Sequence, residues 1–210
     1  GDEVICTTYT FYATVTPLML TGAKPVFADC KDDGNIDAAK IEKKITPKTK
    51  AIVITHMWGI PCDMDEIVAV ARKHNLQLLE DCSHAHGAEY KGKKVGSFGD
   101  AAAWSLQGQK TVTGGEGGIL VTDNEDIHTR ALLLGHYNKR CKQEITDEHD
   151  LKKFALTGFG LKLRAHPIAI AIADQQFDHL EEWLKKRGEF AEYMIDELGK
   201  YDSLEMPNTE

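Results

Sequence analysis

Ala51-Ile52-Val53-Ile54-Thr55 is an unbroken apolar run closed by a β-branched polar residue, and its reading decides the fold. Successive side chains of a strand point to opposite faces, so a run apolar at every position needs cover on both. That is the signature of a sheet sandwiched between helices, an α/β fold. Working outward, further β-rich runs occur at Glu3–Thr7, Pro25–Asp29, Leu76–Asp81, Ala101–Leu106 and Gly118–Thr122. Segments of helical periodicity lie between several of them. Ile36–Ile45 reads as a helix capped by Asn35. Asp63–His74 opens with three acids in four residues, which suit the positive end of a helix dipole.

The pattern then changes. Lys139 to Lys153 is polar and charged and reads as a loop or a mobile excursion. From Pro167 to about Leu198 the periodicity predicts one long helix or two, apolar at Ile168, Ile170, Ile172, Leu180, Trp183 and Leu184. Asp202–Glu210 is polar and closes no element, which reads as an interruption rather than a finish.

With 42% apolar and 28% charged residues, the 210-residue chain has an ordinary globular composition. Its net charge of −8 argues against nucleic acid or an anionic membrane as main partner. No apolar stretch approaches the roughly 20 residues that cross a bilayer, and Gly1-Asp-Glu-Val-Ile5 has no signal-peptide character. The five cysteines are odd in number, scattered and without a C-x-x-C pair, so a reducing cytoplasm is the expected location.

The chemistry-bearing stretch is Ser105-Leu-Gln-Gly-Gln-Lys110-Thr-Val-Thr-Gly-Gly-Glu-Gly-Gly118. Lys110 sits in a small polar loop between two β-runs, and Asp81 ends another. A loop lysine near a strand-end carboxylate suits pyridoxal phosphate, where the lysine forms the Schiff base and the carboxylate keeps the pyridine nitrogen protonated. Strand C-termini of an open α/β sheet converge on the edge where ligands bind. The glycine run lets a phosphate or ring approach the backbone. Plainer readings stay open: Lys110 as a solvated charge, Asp81 as a helix cap. Asp81-Cys-Ser-His84-Ala-His86 also admits a metal reading, but no further ligand group stands at suitable spacing, and no metal is expected. His84 is the alternative donor to a ring oxygen, and His86 a packed core histidine. Phe11 and Trp58 each leave a strand at the ligand edge. Phe11 is open to core or cofactor-platform roles, and Trp58 to lining a pocket.

Together these segments resemble the DegT/DnrJ/StrS sugar aminotransferase family of fold-type I enzymes. Gly22-Ala-Lys-Pro-Val-Phe-Ala-Asp29, Ile45-Thr-Pro-Lys-Thr-Lys-Ala-Ile52, Glu80-Asp81-Cys-Ser-His84-Ala-His86-Gly87 and Gly96-Ser-Phe-Gly-Asp100 stand in family order, and Ser105-x-x-x-x-Lys110 followed by Gly115-Glu-Gly-Gly118 is the most specific piece. The resemblance implies a three-layer αβα domain with a mixed, mostly parallel sheet whose last strand is antiparallel. It implies pyridoxal phosphate as cofactor, with Lys110 as the Schiff-base lysine, Asp81 on the pyridine nitrogen, His84 near the ring hydroxyl, Ser105 on the phosphate and Phe11 stacked on the ring.

The implied substrates are a nucleotide-linked keto-sugar and glutamate or glutamine as donor, in cell-surface glycan or secondary-metabolite synthesis. Sugar dehydratases of the family replace the lysine with histidine, so Lys110 favours transamination. A dehydratase, a cyclitol aminotransferase and an inactive or regulatory fragment are the alternatives. Gly160-Leu-Lys162-Leu-Arg164-Ala-His-Pro167 stands where many relatives have Gly-aromatic-Asn-aromatic-Arg, a segment that reaches the phosphate of the neighbouring subunit in a homodimer. Lys162 and Arg164 are its cationic candidates for that contact. Family members are nearly twice as long. The chain is therefore expected to hold a large domain over residues 1–165, without its N-terminal part, and a helical region over 166–210 leading to a truncated small domain.

Overall fold

The computed structural model describes residues 1–206; residues 207–210, the end of the expected interruption, lie outside the described residues. In chain order the strands are β1 (Glu3–Thr7), β2 (Lys24–Ala28), β3 (Thr49–Thr55), β4 (Gln77–Asp81), β5 (Glu89–Tyr90), β6 (Lys93–Lys94), β7 (Ala101–Ser105) and β8 (Gly118–Val121). The helices are α1 (Thr16–Leu20), α2 (Ala38–Glu42), α3 (Met64–Lys73), α4 (Glu125–Gly135), α5 (Lys139–Glu144), α6 (Pro167–Phe177) and α7 (Leu180–Leu198).

The main sheet runs β2-β1-β3-β4-β7-β8. Its first four pairings are parallel and the last, β7 with β8, is antiparallel. The sheet is mixed and mostly parallel, as the resemblance implies. Pro25 lies in β2, an edge strand, where its missing N–H is tolerated. The alternation of β3 decides the layering. Ile52 and Ile54 pack with Ile5, Ile41, Met64 and Ile67 on one face, whereas Val53 packs with Val4, Cys6 and Val15 on the other.

Two local expectations are corrected. Helix α2 is shorter than Ile36–Ile45, and Asp37 caps it by accepting the Ala39 N–H at 2.8 Å. Asn35 is fully buried instead. It accepts the Met57 N–H at 2.9 Å and donates to the carbonyls of Ile60 (3.1 Å) and Pro61 (3.3 Å). Buried loop backbone needs such partners, and that demand outweighs a capping role. The polar stretch from Lys139 to Lys153 is likewise no simple loop. It forms α5 and part of a 3-10 turn at Asp150–Phe154, closing over Leu132, Leu133, Cys141, Ile145 and Ala155. Few apolar residues suffice because they converge from separate turns, leaving pairs such as Arg140–Glu144 outside.

A buried carboxylate fixes the loops around β4. Glu80 accepts the Gly96 N–H (2.7 Å), the Phe98 N–H (2.8 Å) and the Gly99 N–H (2.6 Å), and meets His56 Nε2 at 3.1 Å. The Cys62 N–H donates to His56 Nδ1 at 3.0 Å, so the His56 proton sits on Nε2 and points at Glu80. Burial pushes the Glu80 carboxyl up, but His56 and the three backbone N–H groups outweigh it and hold it below the usual carboxylate range. A depressed folded pKa stabilises fully above the unfolded value of about 4.3 and is lost as pH falls through the folded value. Glu80→Gln turns an N–H₂ toward N–H donors and should cost about 2–3 kcal/mol at pH 7. Urea denaturation between pH 3 and 7 should also show a shallower acid loss for the variant, and an unchanged acid limb would contradict the assignment.

Candidate active site

Parallel strands deliver their C-termini to one edge, and the candidate residues arrive there from four of them. Asp81 ends β4, Ser105 ends β7, Phe11 follows β1 and Trp58 follows β3. A cavity of about 740 Å³ is lined by Phe11, Asp81, His84, Ser105 and Lys110, together with Tyr9, Thr14, Trp58, Gln107 and Gln109. Five of the seven residues singled out for catalysis or cofactor binding thus share one space. Lys162 and Arg164 are exposed and do not line it. The Arg164 guanidinium lies 5.5 Å from the Tyr137 ring centre, and the Leu163 N–H bonds the Gly135 carbonyl at the end of α4.

Asp81 is oriented by groups that sequence reading missed. Thr14 Oγ1 donates to its Oδ2 at 2.6 Å, and the Ser83 N–H donates to Oδ1 at 3.0 Å. Thr14 Oγ1 lies 2.8 Å from Thr10 Oγ1, which lies 2.9 Å from Thr55 Oγ1. A hydroxyl has one proton. Since Thr14 gives its proton to Asp81, Thr10 donates to Thr14 and Thr55 to Thr10. Three hydroxyl dipoles therefore point toward the carboxylate and reinforce one another. The threonine-rich run Thr7–Thr14 was visible in sequence, but the convergence on Asp81 of β1 outflow and β3 end was not.

His84 Nδ1 lies 3.4 Å from the Trp58 amide nitrogen, which donates to it. The neutral ring then carries its proton on Nε2. Burial first, then the Lys110 charge, lowers the His84 pKa, with Asp81 opposing. His86 is buried, as expected of a core histidine, and its Nε2 has no hydrogen-bond partner among the described residues. Burial likewise lowers its pKa.

The Lys110 loop is closed on itself and braced from outside. Within it, the Lys110 N–H bonds the Gln107 carbonyl (2.9 Å) and Thr113 Oγ1 donates to the Leu106 carbonyl (2.8 Å). From α6, Gln176 Oε1 accepts the Thr113 N–H at 2.9 Å; from α7, Arg187 donates to Thr111 Oγ1 at 2.8 Å. Val112 is buried with Leu106, Ala173 and Leu180. At Gly114 the helix comes so close that a Cβ would stand 2.6 Å from the Ala169 carbonyl oxygen, so only glycine fits.

His56, Glu80 and Cys82 bring one potential metal-ligand atom each within 4.8 Å of one another. This is a different set from the Asp81–His84–His86 cluster weighed in sequence. Both His56 ring nitrogens and both Glu80 oxygens are engaged in the hydrogen bonds described above, and burial pushes the Cys82 thiol up, so the trio reads as a structural network.

The donor set of the cavity suits pyridoxal phosphate. It offers an oriented carboxylate for a protonated ring nitrogen, an amine for the aldehyde, an imidazole N–H for the ring oxygen, a serine hydroxyl for the phosphate and an open aromatic ring, Phe11, 61% exposed. The fold and its strand-end cavity are those of the aminotransferase class of three-layer α/β enzymes. The family model of the DegT/DnrJ/EryC1/StrS aminotransferase family matches residues 1–210, and the chain belongs to that family.

Among curated proteins, it is 38% identical over 193 residues to a GDP-perosamine synthase of Escherichia coli O157:H7, covering 91% of this chain and 50% of that one. It is 36% identical over 200 residues to a dTDP-3-amino-3,6-dideoxy-alpha-D-galactopyranose transaminase of Aneurinibacillus thermoaerophilus, covering 94% and 52%. A solved aminotransferase from Psychrobacter cryohalolentis superposes with a TM-score of 0.87 at 37% identity, over 97% of this chain and 52% of that one. The chain spans about half the length of the curated relatives it matches.

Gln176→Leu should free the Lys110 loop from α6. Loss of this part-buried hydrogen bond, leaving the N–H without its partner, costs about 1 kcal/mol. Amide exchange at Thr113 should accelerate severalfold while β3 amides change less; equal protection at Thr113 in both proteins would show that Gln176 is not the brace.

Proposed function

We propose that the protein to which this chain belongs is a pyridoxal-phosphate-dependent aminotransferase that moves an amino group from glutamate or glutamine to a nucleotide-linked keto-sugar. The observation that carries the reading is the placement of Lys110, Asp81, His84, Ser105 and Phe11 on one cavity at the carboxyl ends of parallel strands. The printed activities of the relatives, a GDP-linked and a dTDP-linked amino-sugar enzyme, support the substrate class. The reading extends to a cytoplasmic homodimer with shared sites. It takes residues 1–165 as the cofactor-binding large domain and 166–210 as the helical start of a second, small domain.

Bound pyridoxal phosphate supplies an electron-withdrawing ring that delocalises the negative charge left when the donor's α-proton departs. The chain's residues do the rest. The Lys110 amine takes that proton and returns it on the other side of the transfer, and the brace on its loop limits where it can reach. The Asp81 carboxylate would keep a proton on the ring nitrogen, and the Thr55–Thr10–Thr14 chain holds the carboxylate. His84 Nε2–H would donate to the ring oxygen, Ser105 would hold the phosphate, and Phe11 would cover the ring. Lys162 and Arg164, exposed and outside this cavity, would contact the phosphate in a neighbouring subunit. Apolar residues left exposed on α6 (Ile168, Ile170, Ile172) and β8 (Ile119, Leu120, Val121) support a large contact with further polypeptide.

Borohydride treatment of the holoprotein followed by peptide mapping should place the pyridoxyl group on Lys110; a label on another lysine with Lys110 clean would sink the assignment. Asp81→Asn should lower transamination 10²- to 10⁴-fold, a loss of about 3–5 kcal/mol in the barrier, with the fold retained by circular dichroism. In a Lys162→Ala/Arg164→Ala variant that stays dimeric by sedimentation, cofactor affinity should fall at least tenfold, and unchanged affinity would remove both residues from the site.

A further inference from the structure

Cofactor-binding candidates occupy only part of the cavity wall, and the remainder has an aromatic character of its own. Trp58 and Tyr9 line the same space, with ring centres 5.5 Å apart in an edge-on arrangement. Both are open, Trp58 60% and Tyr9 50% exposed. Trp58 is also held in a left-handed backbone conformation, φ 55° and ψ 13°, which bulky residues rarely adopt. Strain of that kind persists only where the surroundings impose it.

Here the surroundings are specific. Buried Asn35 grips the turn through Met57, Ile60 and Pro61, while the Trp58 amide is tied to His84. Beneath the two rings lies Gly34, at φ +81°. A Cβ there would stand 3.4 Å from both Trp58 Cζ3 and Tyr9 Cδ1. The turn thus holds the indole at the cavity and exposed rather than buried.

We propose that Tyr9 and Trp58 form the sugar subsite, the open indole face of Trp58 taking the apolar face of the substrate's sugar ring and the amides of Gln107 and Gln109 its hydroxyls. This rests on the aminotransferase reading above. A sugar ring combines an apolar face with a polar rim, and the wall offers a match for both in the aromatic rings of Tyr9 and Trp58 and the side-chain amides of Gln107 and Gln109. An amino-acid donor has no such face. Phe11 is already assigned to the cofactor ring, so the Tyr9–Trp58 pair supplies separate aromatic surface for a second ring.

The test is calorimetric titration of the holoprotein, produced with any flanking sequence its gene encodes, with GDP-mannose, dTDP-glucose, GDP and dTDP. At least one sugar nucleotide should bind. Trp58→Ala should weaken that binding tenfold or more, Trp58→Phe less than threefold, and the bare nucleotide less than threefold with either variant. Tyr9→Leu, which leaves the strained turn intact, should weaken the sugar nucleotide at least threefold and keeps the test decisive if Trp58→Ala fails to fold. Unchanged sugar-nucleotide affinity, equal weakening of the bare nucleotide, or no binding of either sugar nucleotide by the wild type each overturns the subsite. The wild type's absorbance response to glutamate or glutamine alone reports separately on the aminotransferase reading, so either idea can fail without the other.

Discussion

Two adjacent carboxylates at the end of β4 organise the molecule. A strand's period of two sends neighbours to opposite faces, so Glu80 and Asp81 cannot share an environment. Glu80 goes inward, where an ionised group survives only if fully hydrogen-bonded, and it is met by His56 and three backbone N–H groups. Those donors come from the turn after β3 and the loop before β7, so satisfying one charge sets the position of two loops. Asp81 then opens on the cavity, which the turn after β3 helps to line through Met57 and Trp58. A one-residue slip of β4 would exchange the two carboxylates and abolish both arrangements.

Rigidity near the site comes from outside the sheet as much as from within it. The Lys110 loop carries little regular structure, yet it is held by its own backbone bonds, by Gln176 and Arg187 from the two C-terminal helices, and by the close approach of α6 at Gly114. Any rearrangement of α7 is therefore mechanically connected to the lysine. Opposite, the threonine chain and the Asn35-held turn fix Asp81, His84 and the aromatic pair. The cavity is preorganised by polar bonds on one side and by helix packing on the other.

The corrected expectations share a cause. Asn35 stands where a capping residue should, and the stretch from Lys139 to Lys153 has the composition of a loop. Local chemistry was read properly in both. Distant partners overrode it: the unsatisfied backbone of the Met57–Pro61 turn claimed Asn35, and Leu132 and Leu133 of α4 gave Cys141, Ile145 and Ala155 something to pack against.

What the sequence by itself determined is whatever rests on short-range periodicity and on residue types with few alternative uses. Six strands, α3, the two C-terminal helices and the five cavity residues were legible because apolar runs, strand-end acids and a glycine-flanked lysine carry their meaning within a few positions. Only tertiary structure decided that Thr14, Thr10 and Thr55 would line up on Asp81, that Gln176 would reach Thr113, and that Asn35 would hold the turn in which Trp58 is left-handed. Apart from the Thr10–Thr14 link, those contacts join residues from 22 to 67 positions apart. Hydroxyls and amides bond in many ways, and nothing in their local sequence selects one partner until packing has removed the others.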